Sequence, residues 1–177
     1  MASVQVSMDV PLETVWQVCT DIEHCAEYIE SIVGVDIVAG KGGELQVGGA
    51  RMEGGGEGGG GGGGKGVFAE GLTWDETRVM FGSQAKERMW VESVQEKKCY
   101  VVGAESCGAK YETQFEFEQV SATETHVRCS FDAKALTCCA WFMNLIMAPL
   151  MASAMKKALV KDLQDIEKEA KRRMKDK

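Results

Sequence analysis

Two stretches of alternating apolar and polar residues constrain this chain most strongly. In 111–119 the inward positions run from Tyr111 to Phe117, with glutamate and glutamine between them. In 126–135 the inward positions run from Val127 to Ala135. Because successive side chains of a strand point to opposite faces, each stretch predicts a strand with one buried and one wet face. That pattern is typical of an antiparallel sheet.

A long helix is predicted after these strands, over about 139–174. Its apolar positions recur at steps of three and four, and Pro149 is expected to kink or restart it. Ahead of the strands, Pro11 suits the first turn of a short helix, and Asp21 can cap a second one. The element order predicts an α+β fold in which a curved antiparallel sheet grips one helix across a hollow. The apolar helix positions are Ala152, Met155, Leu159, Leu163, Ile166 and Ala170.

Composition limits the classes of partner. The 177 residues suit one domain, 1–177, and the net charge of −7 argues against nucleic-acid binding. From Lys156 onward the sequence contains nine basic and five acidic residues. A solvated helix face explains this charge, and contact with an anionic membrane surface is the alternative. The segment Cys138–Met155 is apolar except for Asn144 and Ser153. A buried helix laid across the open side of the sheet is the favoured interpretation, and a helix that spans a bilayer is the alternative.

Cysteine and histidine usage predicts a cytoplasmic protein without metal or cofactor. The chain has seven cysteines, and the first ten residues already alternate as a strand, so no secretory leader is expected. There is no Cys-x-x-Cys motif, and the two histidines, His24 and His126, fall on different elements. Oligomeric state leaves no signal in the sequence.

A glycine tract interrupts the chain between the predicted strands. Eighteen of the 21 glycines lie between Gly34 and Gly71, and 48–66 is predicted to be a disordered loop. The spacing from Gly59 to Lys65 imitates a phosphate-binding loop. However, Gly66 stands where a serine or threonine is needed, and no helix follows. The phosphate interpretation is therefore rejected.

One cluster of charged residues is predicted on the inner face. If a two-residue turn at Gly82-Ser83 places Phe81 opposite Gln84, then Arg78 faces Glu87, Glu76 faces Met89 and Trp74 faces Val91. Charged groups among apolar neighbours must be paired or hydrated. They either orient the polar end of a ligand or form a cross-strand ion pair with no ligand role. No residue is predicted to be catalytic.

The chain resembles the polyketide cyclase/dehydrase and lipid-transport family of the START-like (SRPBCC) superfamily. The resemblance implies a helix-grip fold, with about seven strands around a long C-terminal helix and a deep apolar cavity. It also implies a hydrophobic ligand such as a lipid, polyketide or quinone, and it carries over no catalytic residue. The anchors of the resemblance are Val4, Pro11, Val15-Trp16, Ile22, Val33–Val38, Leu72–Arg78 and Ala148–Met151.

The favoured hypothesis is a carrier or sensor that binds a hydrophobic small molecule between sheet and helix. A cyclase- or dehydratase-type enzyme, with proton transfer by Glu76, Arg78 or Glu87, is one alternative. An adaptor that contacts membrane surfaces through the apolar helix and the basic tail is another. The predicted ligand contacts are Trp74, Glu76, Arg78, Glu87, Met89, Tyr111, Phe115, Phe117, Phe131, Met151 and Met155.

Overall fold

The described strands form one seven-stranded antiparallel sheet. The structure, a computed structural model, describes residues 2–39, 68–80, 82–106, 109–135 and 138–176. A short 3₁₀ helix, Ile22–Glu27, follows the first α-helix. The remaining elements are, in chain order, β1 (Ala2–Met8), α1 (Leu12–Cys19), β2 (Ile32–Ala39), β3 (Thr73–Met80), β4 (Ser83–Gln95), β5 (Cys99–Ser106), β6 (Ala109–Gln119), β7 (Thr125–Ala135) and α2 (Cys138–Lys175).

The strand order is β1-β7-β6-β5-β4-β3-β2. Strands β2 to β7 therefore pair with their neighbours in sequence, while β1 pairs with the last strand. Helix α2 packs on β1, on β7 and on α1. The predicted α+β architecture, a curved antiparallel sheet with a long C-terminal helix and two short helices after the first strand, is confirmed.

The two stretches of alternation form β6 and β7, with the predicted faces. Phe117, Val127 and Cys129 are buried on the inner face, while Glu118 and Arg128 are exposed on the outer face. The strands pair in register, with Phe117 opposite Val127 and Phe115 opposite Cys129. Because directly opposed residues share a face, the apolar sides of the two strands form one continuous surface.

Helix α1 begins directly after Pro11 and buries Val15, Trp16 and Val18. The predicted capping role of Asp21 is wrong, because its side chain makes no cap hydrogen bond to the 3₁₀ helix. Its carboxylate instead binds His24 Nδ1 at 2.7 Å and accepts a hydrogen bond from Arg173 Nη2 at 2.8 Å. Burial acts to raise the pKa of Asp21, but the hydrogen bonds from His24 and Arg173 outweigh it and lower that pKa.

Helix α2 is continuous through Pro149, so the predicted restart there is wrong. Its C-terminal half buries Leu159, Leu163, Ile166 and Ala170 at the predicted spacing. Among the helices that the structure describes, none has a stretch both long and apolar enough to cross a membrane. The predicted loop at 48–66 lies outside the described residues, as do the side chains of the α2 positions 138–152.

Candidate functional site

Five directly opposed residues form a row across the inner face of the sheet. The row runs from Trp74 of β3 through Met89 of β4, Ala104 of β5 and Tyr111 of β6 to Ala133 of β7. Two of the five are alanines, whose side chains are single methyl groups. The inner face of the sheet is therefore recessed at Ala104 and Ala133 relative to the larger residues of the row.

Aromatic rings fill one end of the inner face, close to α1. Trp16 makes edge contacts with Tyr100 of β5 and Phe117 of β6, at ring-centroid separations of 5.9 and 5.3 Å. Val127, opposite Phe117, is completely buried. We call this region the packed end, defined by Trp16, Tyr100, Phe117 and Val127. It leaves no apolar surface open to a ligand.

The other end of the inner face is only half-buried. Met89, Tyr111, Phe115 and Phe131 each keep part of their side chain accessible. The rings of Tyr111 and Phe131 stack with centroids 5.7 Å apart and planes inclined by 24°. We call this region the open end, defined by these four residues. The described strands β4, β6 and β7 contribute these partly accessible apolar side chains.

A buried network of charges ties the sheet to α2. Arg78 Nε donates to Glu76 Oε1 at 2.7 Å, and Arg78 Nη1 donates to Asp162 Oδ2 at 2.6 Å. The second carboxylate oxygens are also occupied. Trp74 Nε1 donates to Glu76 Oε2 at 3.2 Å, and the Ser31 hydroxyl donates to Asp162 Oδ1 at 2.9 Å. We call Glu76, Arg78, Asp162 and Ser31 the Asp162 network.

The network satisfies the requirement that buried charges be paired. Burial acts to lower the pKa of Arg78, but the carboxylates of Glu76 and Asp162 outweigh it and raise that pKa above its usual value. The guanidinium therefore stays charged at any physiological pH. Because both partners hold it by short hydrogen bonds, Arg78 serves as a structural tie between β3 and α2.

The predicted register of the β3–β4 hairpin is wrong by two residues. Arg78 lies opposite Ala85, Glu76 opposite Glu87 and Trp74 opposite Met89. Met80 pairs with Ser83, so the turn does not lie at Gly82-Ser83, and Gly82 has a φ of +79° that favours glycine. A shift of two residues preserves the side-chain faces, so the predicted inner face survives. The predicted ion pair between Arg78 and Glu87 does not.

The structure divides the predicted contacts into three groups. Trp74, Glu76 and Phe117 are buried in the core, and Arg78 belongs to the Asp162 network. Met89, Tyr111, Phe115 and Phe131 form the open end, with Glu87 next to Met89 on the same face of β4. Met155 of α2 is half-buried against the core. The side chain of Met151 lies outside the described residues.

Sequence reasoning missed Asp162 and Ser31. Asp162 interrupts the apolar face of α2 between Leu159 and Ile166, directly before Leu163. A carboxylate on the buried stripe of a helix requires a cation, and this mismatch was the available signal. The identity of the cation was not readable, because Arg78 is remote in sequence.

Three described thiols, Cys19, Cys25 and Cys129, are buried and not activated. Burial raises the pKa of Cys25 and Cys129 to about 12, and that of Cys19 further. These side chains are therefore neutral and unreactive. No group of His, Cys, Asp and Glu within the described residues has the arrangement of a metal site.

A cleft lies outside the inner face. It is a cleft of about 700 Å³ between the 3₁₀ helix and the C-terminal half of α2. Glu27, Lys168, Glu169 and Arg172 are among the residues that line it, together with Tyr28. Charges of both signs dominate this lining, so the cleft suits water and ions better than an apolar molecule.

Comparisons with known proteins agree with this geometry. The family model described as polyketide cyclase/dehydrase and lipid transport matches residues 1–171. No curated protein matches the chain.

Solved structures share the fold at low sequence identity. A START superfamily protein from Mycobacterium smegmatis is 13% identical with a TM-score of 0.70, covering 97% of each chain. The Zhui aromatase/cyclase from Streptomyces sp. R1128 is 12% identical with a TM-score of 0.67, covering 98% of this chain and 94% of its own. A truncated norcoclaurine synthase from Thalictrum flavum is 12% identical with a TM-score of 0.63, covering 94% and 89%. The solved structures share the fold of this chain, and the family match over residues 1–171 shows that the chain belongs to the polyketide cyclase/dehydrase and lipid-transport family.

Proposed function

We propose that this protein binds a hydrophobic small molecule at the open end of the inner face and acts as a carrier or sensor. The observation that carries the proposal is the contrast between the two ends of one apolar surface. The packed end is covered by Trp16 and its neighbours, while Met89, Tyr111, Phe115 and Phe131 stay half-buried. Apolar patches that stay exposed on a protein surface often mark interaction sites.

The energetics favour an apolar guest. Fully burying a Phe, Tyr or Met side chain stabilises by roughly 1.5–3 kcal/mol. Completing the burial of four half-covered side chains therefore contributes roughly 1 kcal/mol each, in addition to the ligand's own burial. The stacked rings of Tyr111 and Phe131 offer a flat, polarizable surface, and Met89 and Met155 adapt to different shapes. These features suit a lipid, a polyketide or a quinone.

Family membership supports the same class of ligand. The description of the family names lipid transport together with polyketide cyclisation and dehydration. Two of the structural neighbours are named as a cyclase and a synthase. An enzyme of the cyclase or dehydratase type is therefore the second candidate.

The contacts of Glu76 disfavour the enzyme. Both of its carboxylate oxygens accept hydrogen bonds, from Trp74 and Arg78, so it is not free to take up a proton from a substrate. Arg78 is held on both sides as well. Only Glu87 of the three proposed acid–base residues is outside the network. The test is whether Glu87→Gln abolishes turnover of a polyketide-like substrate.

Charge pairing of four of the nine basic residues from Lys156 onward weakens the case for the membrane adaptor. Lys161 pairs with Glu30 and Lys171 with Glu167. Arg172 and Arg173 both bind Glu169, and Arg173 also binds Asp21. Basic side chains that are already paired with carboxylates of the same molecule attract an anionic surface weakly. Flotation with anionic liposomes at low salt tests the adaptor.

Ligand binding is tested by filling the hollow. We expect Ala133→Trp to place an indole beside Tyr111 and to abolish displacement of Nile red by lipid extract. The matched control is Lys134→Trp on the neighbouring outer-face position, whose side chain is 62% exposed. Native mass spectrometry of the protein purified from cells should show an added mass that Ala133→Trp loses and Lys134→Trp keeps. An unliganded mass in all three proteins, with no dye displaced, contradicts the proposal.

A further inference from the structure

We propose that the molecule bound at the open end is a hydrophobic amine, whose cationic nitrogen is held by the carboxylate of Glu87. This inference rests on the proposed function and specifies the chemistry of its ligand. The positions of the charges around the open end carry it.

Glu87 lies on the inner face beside the apolar patch. It is opposite Glu76 and two residues before Met89, whose side chain belongs to the open end. Glu87 is half-buried, whereas its neighbours Lys86 and Arg88 are exposed on the outer face. Pairing between β4 and β5 ends at Met89 opposite Ala104, while pairing with β3 continues to Ser83. Among the described strand pairs, no β5 residue is therefore paired with Glu87.

Glu87 has no counterion within the described part of the chain. The nearest inner-face cation, Arg78, is bound by Glu76 and Asp162, so two carboxylates already share one guanidinium. Lys86 and Arg88 bind Asp36 and Asp75 on the outer face. The sequence of α2 from Cys138 to Met155 contains no charged residue. Within the described residues, therefore, no protein cation neutralises Glu87.

The arrangement carries an electrostatic cost that an amine relieves. Residues directly opposite across two strands have Cβ atoms about 5 Å apart, and like charges there are destabilising. Glu76 and Glu87 are such a pair. An ammonium group beside Glu87 replaces this repulsion with an attraction, while a carboxylate ligand adds a third negative charge. Because the neighbouring surface is apolar, the effective dielectric constant is lower than in water and both effects are strengthened.

The experiment compares three ligands of equal chain length: decylamine, 1-decanol and decanoate. Each is titrated against the protein with bound Nile red, at low ionic strength and at about 0.15 M salt. For a partly solvated ion pair we expect decylamine to bind about tenfold more tightly than decanoate, with 1-decanol between them. Glu87→Gln should bring the three affinities within about twofold, and Glu87→Lys should reverse the order. The matched controls are Glu118→Gln and Glu118→Lys, at an outer-face position whose side chain is 78% exposed.

The outcomes separate this inference from the proposed function. If 1-decanol displaces the dye but decylamine and decanoate bind equally, the open end binds apolar molecules and the amine inference is wrong. An amine preference that Glu118→Lys removes as effectively as Glu87→Lys is an effect of net charge and also overturns the inference. If none of the three ligands displaces the dye, the proposed function fails first. A preference that follows Glu87 alone supports the amine.

Discussion

The two ends of the inner face are built from similar residue types and differ in how deeply these residues are buried. At the packed end, Phe117 and Tyr100 meet Trp16, which α1 supplies from outside the sheet. At the open end, the rings of Phe131 and Tyr111 stack on each other, and both side chains stay half-buried. Trp16 of α1 therefore accounts for the tighter burial of Phe117 and Tyr100 at the packed end.

The comparison also shows where stability is concentrated. The C-terminal half of α2 lies over the packed end and buries Leu163 and Ile166. The Asp162 network and the contacts of Glu169 fasten the same half of the helix. A ligand at the proposed site would therefore exchange without unfolding the region that holds the molecule together.

The strongest test compares one residue type at both ends. Phe117→Ala removes a ring that is 8% exposed, and we expect a loss of about 3–5 kcal/mol in the free energy of unfolding. Phe131→Ala should cost only about 1–2 kcal/mol, because its ring is half-exposed before the change. Urea unfolding followed by circular dichroism measures both variants. Equal losses would show that the open end is as well packed as the core.

The next largest effect tests the Asp162 network. Arg78→Met leaves Glu76 and Asp162 buried without a cation, and we expect a loss of about 3 kcal/mol in unfolding free energy. The control is Arg88→Met, which breaks an outer-face pair with Asp75 and should cost less than about 1 kcal/mol. A loss for Arg78→Met as small as that of the control would mean that the network does not hold α2.

Acid provides a third test, through Glu169. The hydrogen bond from Arg172 is the largest influence and, with Arg173, lowers the pKa of Glu169 to about 2, against partial burial. A lowered folded-state pKa stabilises the protein above the unfolded-state pKa, near 4.5, and this contribution disappears as the pH falls through about 2. We expect Glu169→Gln to cost about 1–2 kcal/mol at pH 7.

The gap between wild type and Glu169→Gln should then close progressively between pH 4.5 and pH 2. Denaturant titrations at a series of pH values measure it. A gap that stays constant across this range would show that ionisation of Glu169 does not contribute to holding the helix end.

The smallest effect is expected from exchanging leucine and methionine. Met89→Leu, at the open end, should change the unfolding free energy by less than about 0.5 kcal/mol, while shifting Nile red affinity severalfold. The reverse exchange, Leu72→Met, affects a side chain that is 2% exposed and should cost about 1 kcal/mol. Thermal unfolding and dye titration of the same samples measure both quantities. A Leu72→Met variant that alters dye binding as much as Met89→Leu would remove the distinction between the ends.

Local patterns predicted the architecture well. The alternation in β6 and β7 predicted which side chains are buried, because the period of two follows directly from strand geometry. The three- and four-residue steps predicted the buried stripe of α2 from Leu159 to Ala170 for the same kind of reason. The predicted register of the β3–β4 hairpin was wrong by two residues. Gly82 can take either the first or the second position of a two-residue turn, and the sequence does not distinguish the two.

The candidate site was less accessible to sequence reasoning. Met89, Tyr111, Phe115 and Phe131 were predicted on the correct face, but the alternation assigns Phe117 to that face equally well. What separates Phe117 from the others is Trp16, which reaches it only in the folded chain. Asp162 and Arg78 find each other across the fold in the same way. Contacts between residues far apart in sequence are determined by tertiary packing. The periodicity of apolar residues within one strand or helix carries no information about them.

The pairing of β1 with β7 has a consequence for biosynthesis. A ribosome delivers Ala2–Met8 long before Thr125–Ala135, whereas each strand from β4 to β7 follows closely after the strand with which it pairs. The nascent chain can therefore pair strands β2 to β7 before β1 has a partner. Until then the backbone amides of β1 are unpaired and accessible to chaperones and to neighbouring chains. Closing the sheet against this early strand is a late, non-local step, and such steps slow the folding of antiparallel proteins.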